Sequence, residues 1–195
     1  MNSLIDTPWK YRNEILRWLV LPYIRFLFFL SRIAWGNLPV LQKHRLNEMR
    51  FDDRLSLCSS VRSNPLGPNH PVILCTWQKG AVLEIGENFG MTGGSICAAE
   101  RITIGNRVIV GANTVIVDTD FHPLNYHIRK AHPQDSRTAP VYIQNDVFIG
   151  MNCLILKGVT IGQGSVIGAG SVVASNIPEG VVAAGNPARV IGAVS

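Results

Sequence analysis

A chain of 195 residues, 47% hydrophobic and 16% charged, has enough apolar content for one substantial core with an appendage, which excludes a disordered chain. The formal net charge of +5 comes largely from the N-terminal third, and no nucleic-acid motif accompanies it, which sets nucleic acid aside as a partner. Four cysteines, Cys58, Cys75, Cys97 and Cys153, show neither paired spacing nor a metal-ligand pattern and fit a reducing cytoplasm.

Thr7-Pro8 reads as a helix start, a capping hydroxyl followed by proline in the first turn. The predicted helix runs to Trp35, and Gly36 stops it. Its densest apolar part, Trp18 to Leu30, is broken by Pro22 and Arg25, too short and too charged for a transmembrane span, and no small-x-small site marks a cleaved signal. Such a helix either packs on protein or lies in a membrane interface with its arginines towards lipid phosphates, a peripheral contact. Residues 37–70 carry no clear pattern beyond the loop signals Asn64-Pro65 and Gly67-Pro68. The expected division is therefore a helical and irregular segment over 1–70 and a second domain over 71–195.

The second domain is written in sixes. An aliphatic residue recurs at Ile143, Ile149, Ile155, Ile161, Ile167 and Val173. Upstream the beat runs through Ile85, Met91 and Cys97, slips by one residue at Thr103, and resumes at Ile104, Val110 and Ile116. A strict six fits neither a helix nor an ordinary strand, but it is the period of a parallel β-helix, in which each unit buries its aliphatic residue by stacking on its neighbours. Residues 18 apart, such as Ile143 and Ile161, are expected one above the other. The fourth slot of each hexad supports this, with Asn88, Gly94, Asn113, Asp146, Asn152, Gly158, Gly164, Gly170 and Asn176, residue types that accept a left-handed corner; Glu100, Arg107 and Thr119 are exceptions. Cys97 and Cys153 are expected to pack as small wall residues.

The repeat stops at Asp118-Thr119-Asp120-Phe121-His122 and stays suspended over residues 122–140. Long insertions in a compact fold are often functional. Asp118, Asp120 and His122 alternate and share a face if extended. Asp120 occupies a wall slot, where a carboxylate needs a partner, and His122 is the nearest one. Histidine with an orienting carboxylate is the arrangement for a general base near neutral pH. The histidines show no strong metal spacing, and no metal is expected.

The repeat, the segment Ile116-Val-Asp-Thr-Asp-Phe-His-Pro-Leu124, the stretches Gly158-Val-Thr-Ile-Gly162 and Ile167-Gly-Ala-Gly-Ser171, and the ending Ala183-Ala-Gly-Asn-Pro-Ala-Arg189 resemble the hexapeptide-repeat acetyltransferases, with the sugar and polysaccharide O-acetyltransferases related to galactoside and maltose acetyltransferase closest. The resemblance covers roughly residues 85–191. It implies a mainly β fold, a left-handed parallel β-helix, assembled as a homotrimer with sites between subunits, and acetyl-CoA as donor to a saccharide hydroxyl in the cytoplasm. It implies His122 as catalytic base with Asp120 orienting it. Ser95 falls near the acceptor position, and Asp118, Asn113 and Arg129 are placed on the acceptor side with it. Phe148 stands where an aromatic borders the pantetheine arm, and Met151, Gly168, Ala169 and Ala174 fall on the edge along which CoA lies. Ala174-Ser175-Asn176 stands where relatives often have Thr-Lys-Asp, so Arg189 or Lys157 is assigned to the phosphates in place of that lysine. A transfer to an amino sugar and a catalytically inactive binding scaffold remain the alternatives.

Overall fold

The computed structural model describes residues 34–35, 38–44, 46–62 and 64–195. The predicted N-terminal helix lies outside these residues except at its end, where Ala34 and Trp35 form a strand instead. Among the described residues no helix is long and apolar enough to cross a membrane.

Three stacks of short strands form the walls of a parallel β-helix. Sheet A contains β1 (Ala34–Trp35), β4 (Ser56–Cys58), β7 (Gly90–Thr92), β10 (Ile109–Val110), β13 (Phe148–Ile149), β16 (Val166–Ile167), β18 (Val181–Gly185) and β19 (Ala188–Ala193). Sheet B contains β2 (Val40–Lys43), β5 (Ile73–Thr76), β8 (Ser95–Ala98), β11 (Val115–Val117), β14 (Leu154–Ile155) and β17 (Val172–Val173). Sheet C contains β3 (Glu48–Phe51), β6 (Val82–Ile85), β9 (Arg101–Ile104), β12 (Val141–Ile143) and β15 (Thr160–Ile161). All pairings are parallel except the closing hairpin β18–β19. From β1 to β17 successive strands visit A, B and C in turn, and in the last coil an isolated bridge from Ile177 to Ile161 stands in for the sheet C strand.

The expected 18-residue stacking is present: Ile143 pairs with Ile161 and Ile149 with Ile167, all buried. On sheet B the inward column is Leu74, Ile96, Ile116, Ile155 and Val173. Each such side chain contributes roughly 1.5–3 kcal/mol by leaving water. Eight of the nine expected corner residues have positive φ, from Asn152 at 56° to Gly94 at 83°. Asn176 is the ninth; its Oδ1 instead accepts from the Thr160 N–H at 2.8 Å. Arg107, an exception by residue type, also adopts φ 56° and pairs its guanidinium with Asp146.

Two expectations need correction. Cys97 is not a wall residue: Ile96 is, five after Met91, while Cys97 is half-buried beside Cys75 on the next strand. Consecutive glycines with positive φ, Gly93 at 55° and Gly94 at 83°, shorten that corner, and the corner before Arg101 is longer by more, so the one apparent slip is the sum of two opposite ones. Residues 40–58, expected within the irregular segment, are strands β2 to β4 stacked on later coils. Their inward residues Leu41, Met49, Phe51 and Leu57 are separated by corners of unequal length, which erases the period of six.

Coil spacing leaves no room beside some corner residues. A Cβ on Gly150 would sit 2.5 Å from the Ala169 nitrogen, a backbone atom that cannot step aside. Gly150→Ala is expected to destabilise the domain by about 1–3 kcal/mol in a denaturant melt, and an unchanged midpoint would show that the coils are not in contact there.

Candidate active site

The long insertion leaves the corner between sheets B and C and returns to it. Its stems are zipped together by an antiparallel bridge between Thr119 and Thr138, by the Asp120 N–H on the Arg137 carbonyl at 3.1 Å and by the Ala139 N–H on the Asp118 carbonyl at 2.9 Å. Beyond the stem the chain forms one short helix, α1 (Tyr126–Ala131), whose first turn is capped by Asn125 Oδ1, which accepts from the N–H groups of His127 and Ile128. Arg129, expected on the acceptor side, folds back on its own loop: its Nη1 donates to the carbonyls of Pro123 at 2.6 Å and Leu124 at 3.1 Å and so holds the loop's shape.

His122 stands at the start of this loop with an exposed ring. Its Nδ1 lies 3.0 Å from the Pro133 carbonyl oxygen. A carbonyl only accepts, so Nδ1 is the donor, and in the neutral ring the lone pair is on Nε2, where it can take a substrate proton. The preceding residue, Phe121, is held at φ 60°, a strained conformation for a bulky side chain. The buried Thr119 fixes it, its Oγ1 accepting the Phe121 N–H at 3.0 Å and sharing a hydrogen bond with Ser136 Oγ at 3.1 Å.

The two carboxylates do not act as the alternation suggested. Asp118 is fully buried, and Oδ1 accepts the Ala99 N–H at 2.6 Å while Oδ2 accepts those of Glu100 and Arg101 at 2.8 and 2.7 Å. It ties its coil to the corner above and has no free oxygen edge for an acceptor. Burial pushes its pKa up, against the pull of those backbone donors.

Asp120 does not orient His122 through its side chain. Its Oδ1 pairs with Lys157 Nζ at 2.6 Å, and His122 meets only its backbone carbonyl, through an N–H at 2.7 Å. Lys157 was within reach of sequence reasoning: β11 pairs with β14, so the residues following them, Asp118 to Asp120 and Leu156 to Lys157, stack on one corner. Oδ2 of Asp120 is buried without a partner, so the carboxylate depends on this one lysine. Lys157→Met is expected to cost about 1–3 kcal/mol, less than a fully buried pair because both groups keep some solvent contact, and Asp120→Asn on top of it is expected to recover part of the loss. Strictly additive losses in the double variant would show that the two residues do not interact.

The other expected residues are dispersed. Ala174, exposed, follows β17 on the same corner as Lys157 and the loop. Met151, Gly168 and Ala169 lie on the neighbouring corner, between sheets A and B, where Asn113 also sits; Asn113 Oδ1 accepts the Asn69 N–H at 2.7 Å and fastens the upstream loop. Ser95 opens β8, paired with Val115. Phe148 is half-exposed on the outer face of sheet A between its partners Ile109 and Val166. Arg189 lies in the terminal hairpin, with Nη1 on the Ala188 carbonyl. One chain therefore brings together His122, Asp118, Asp120, Arg129, Ala174 and Lys157, and sets Met151, Gly168, Ala169 and Asn113 apart from them. Among the described residues no group of three or more His, Cys, Asp or Glu side chains is placed to hold a metal.

The family profile described as bacterial transferase hexapeptide (six repeats) matches residues 140–175. Galactoside O-acetyltransferase of Escherichia coli is 41% identical over 113 residues, which is 57% of this chain and 54% of that protein. The chain spans about half the length of the curated relatives it matches, between 42% and 54% for the galactoside enzymes of Lactococcus lactis and E. coli. Among solved structures, galactoside acetyltransferase in complex with coenzyme A is 30% identical at a TM-score of 0.53, over 80% of this chain and 65% of that one. A hexapeptide-repeat acetyltransferase from Vibrio cholerae is 30% identical at a TM-score of 0.53, over 63% of this chain and 71% of its own, and its acetyl-CoA complex superposes at 0.56. Strands that repeat every six residues, the histidine loop at one corner and this shared length make the chain a member of the hexapeptide-repeat acetyltransferase family.

Proposed function

We propose that the protein transfers the acetyl group of acetyl-CoA to a hydroxyl of a saccharide, with His122 as general base. The observation that carries this reading is the Nδ1 contact to the Pro133 carbonyl, which in the neutral ring places the lone pair on Nε2 of an exposed residue at the mouth of the loop. Nε2 takes the hydroxyl proton as that oxygen bonds to the thioester carbonyl carbon. Collapse of the tetrahedral intermediate breaks the C–S bond, and the imidazolium returns the proton to the departing thiolate. A backbone N–H beside the thioester would hold the developing oxyanion.

Relatives that are galactoside O-acetyltransferases, and neighbours solved with acetyl-CoA or coenzyme A, support the donor and the acceptor class. The dispersion of the expected residues supports a homotrimer. With Met151, Gly168 and Ala169 on one corner and His122 on the next, a site that uses both is completed when one copy's corner faces the other corner of its neighbour, with Phe148, Ala174 and Arg189 along the CoA groove. An enzyme using acetyl-CoA and a glycan precursor in this way would work in the cytoplasm.

Matched acceptors test the reaction. Incubating acetyl-CoA and enzyme with a methyl glycoside and with the corresponding 2-amino-2-deoxy glycoside, then locating the acetyl group by NMR, is expected to show an ester on the hydroxyl compound. Acetylation confined to the amine would replace the O-transfer reading by N-transfer.

A further inference from the structure

On the corner that carries the histidine loop, two coils upstream, a rigid turn presents an indole to solvent. Residues 77–80 link β5 to β6, and Trp77 is 46% exposed. Exposed apolar side chains are ordinary when they are mobile and isolated; this one is neither. Asn47, itself buried, donates Nδ2 to the carbonyls of Thr76 at 3.2 Å and Gln78 at 2.6 Å, and its Oδ1 accepts the Gly80 N–H at 2.8 Å. The Trp77 N–H adds a bond to the Ala98 carbonyl at 2.7 Å, and the Ala81 N–H closes the turn on the Gln78 carbonyl at 3.2 Å. Five hydrogen bonds thus fix the backbone that carries the indole.

The turn is also joined to the catalytic loop. Gln78 Nε2 donates to Ser136 Oγ at 3.4 Å, Ser136 shares a hydrogen bond with Thr119, and Thr119 holds the Phe121 N–H next to His122. Among the described residues no hydrogen bond is made to Gln78 Oε1, so an amide acceptor follows the exposed indole on the same turn. Leu46, 61% exposed on the coil before, and Phe121, 39% exposed in the loop, are further apolar side chains open to solvent on the same corner. A pyranose has an apolar C–H face and a rim of hydroxyls, and a fixed aromatic with a neighbouring amide matches both.

We infer that Trp77, with Gln78, forms an acceptor subsite: the indole stacks on a saccharide ring while Gln78 Oε1 accepts one of its hydroxyls, which sets the glycan's position relative to His122. The inference rests on the acetyltransferase reading of His122 and adds a specificity-determining residue to it. Loss of a centrally placed tryptophan contact weakens binding by about 10-fold or more.

The test compares wild type, Trp77→Ala and Trp77→Phe in steady-state transfer from acetyl-CoA to methyl β-galactoside and methyl α-glucoside, with saturation-transfer NMR of the same glycosides. The acceptor KM is expected to rise about 10-fold in Trp77→Ala and to return to within about threefold of wild type in Trp77→Phe, with kcat and the acetyl-CoA KM little changed. An unchanged acceptor KM in Trp77→Ala, while His122→Ala abolishes transfer, would overturn the subsite and leave the reaction standing. A change in oligomeric state on sedimentation of Trp77→Ala would assign the indole to a subunit contact and overturn it as well. If wild type transfers to neither glycoside, the NMR decides alone: saturation transfer lost in Trp77→Ala supports the subsite, and saturation transfer absent from wild type or unchanged in the variant refutes it.

Discussion

Asp118→Ala is expected to lose about 3–6 kcal/mol of folding stability, a large part of the 5–15 kcal/mol typical of a domain. The substitution removes a buried carboxylate that takes three backbone N–H groups from residues 99–101 and leaves those donors, of which the Ala99 N–H is buried, without acceptors. Each orphaned donor costs about 1–3 kcal/mol. Asp118→Asn keeps one oxygen but points an N–H₂ at one side of the same cluster, so an intermediate loss is expected. Urea melts of the three proteins check this. Near-equal midpoints would mean that water or a rearranged corner replaces the carboxylate, and that Asp118 is available for another role.

His122→Ala is expected to lower kcat by about 10²–10⁴-fold, the range over which a positioned general base acts, without a matching loss of stability. The residue is exposed and its ring's hydrogen bond to Pro133 lies within the loop, so its removal leaves the stacked core untouched. Acetyl-CoA affinity is expected to persist because most of the residues assigned to the CoA edge, Phe148, Met151, Gly168 and Ala169, lie on sheet A and the corner after it. A loss of activity accompanied by a large fall in melting temperature would instead make His122 a structural residue of the loop.

Much of this architecture is legible in the chain because the coil repeats faithfully wherever corners have equal length. Ile143 to Val173 has no irregular corner, and its stacking follows from counting alone. The count fails at Cys97, where Gly93 and Gly94 absorb a residue, and over residues 40–58, where unequal corners hide three strands. The loop position and His122 stood out because a polar run interrupted an apolar rhythm. The partners of the carboxylates did not, since hydrogen-bond choice depends on stacking across coils: Asp118 meets residues 17 to 19 earlier and Asp120 meets Lys157, 37 later. Alternation in sequence put both on one face with His122, but the turn at Phe121, φ 60°, takes the histidine out of that face.

The central claim is that a histidine at the break in the repeat moves a proton during acetyl transfer. Thiol release from acetyl-CoA, measured side by side for wild type and His122→Ala with and without a panel of sugars and polysaccharide fragments, tests it most directly. Release that requires an acceptor and disappears in the variant is the predicted result. Acceptor-dependent release at near wild-type rate in His122→Ala would contradict the account.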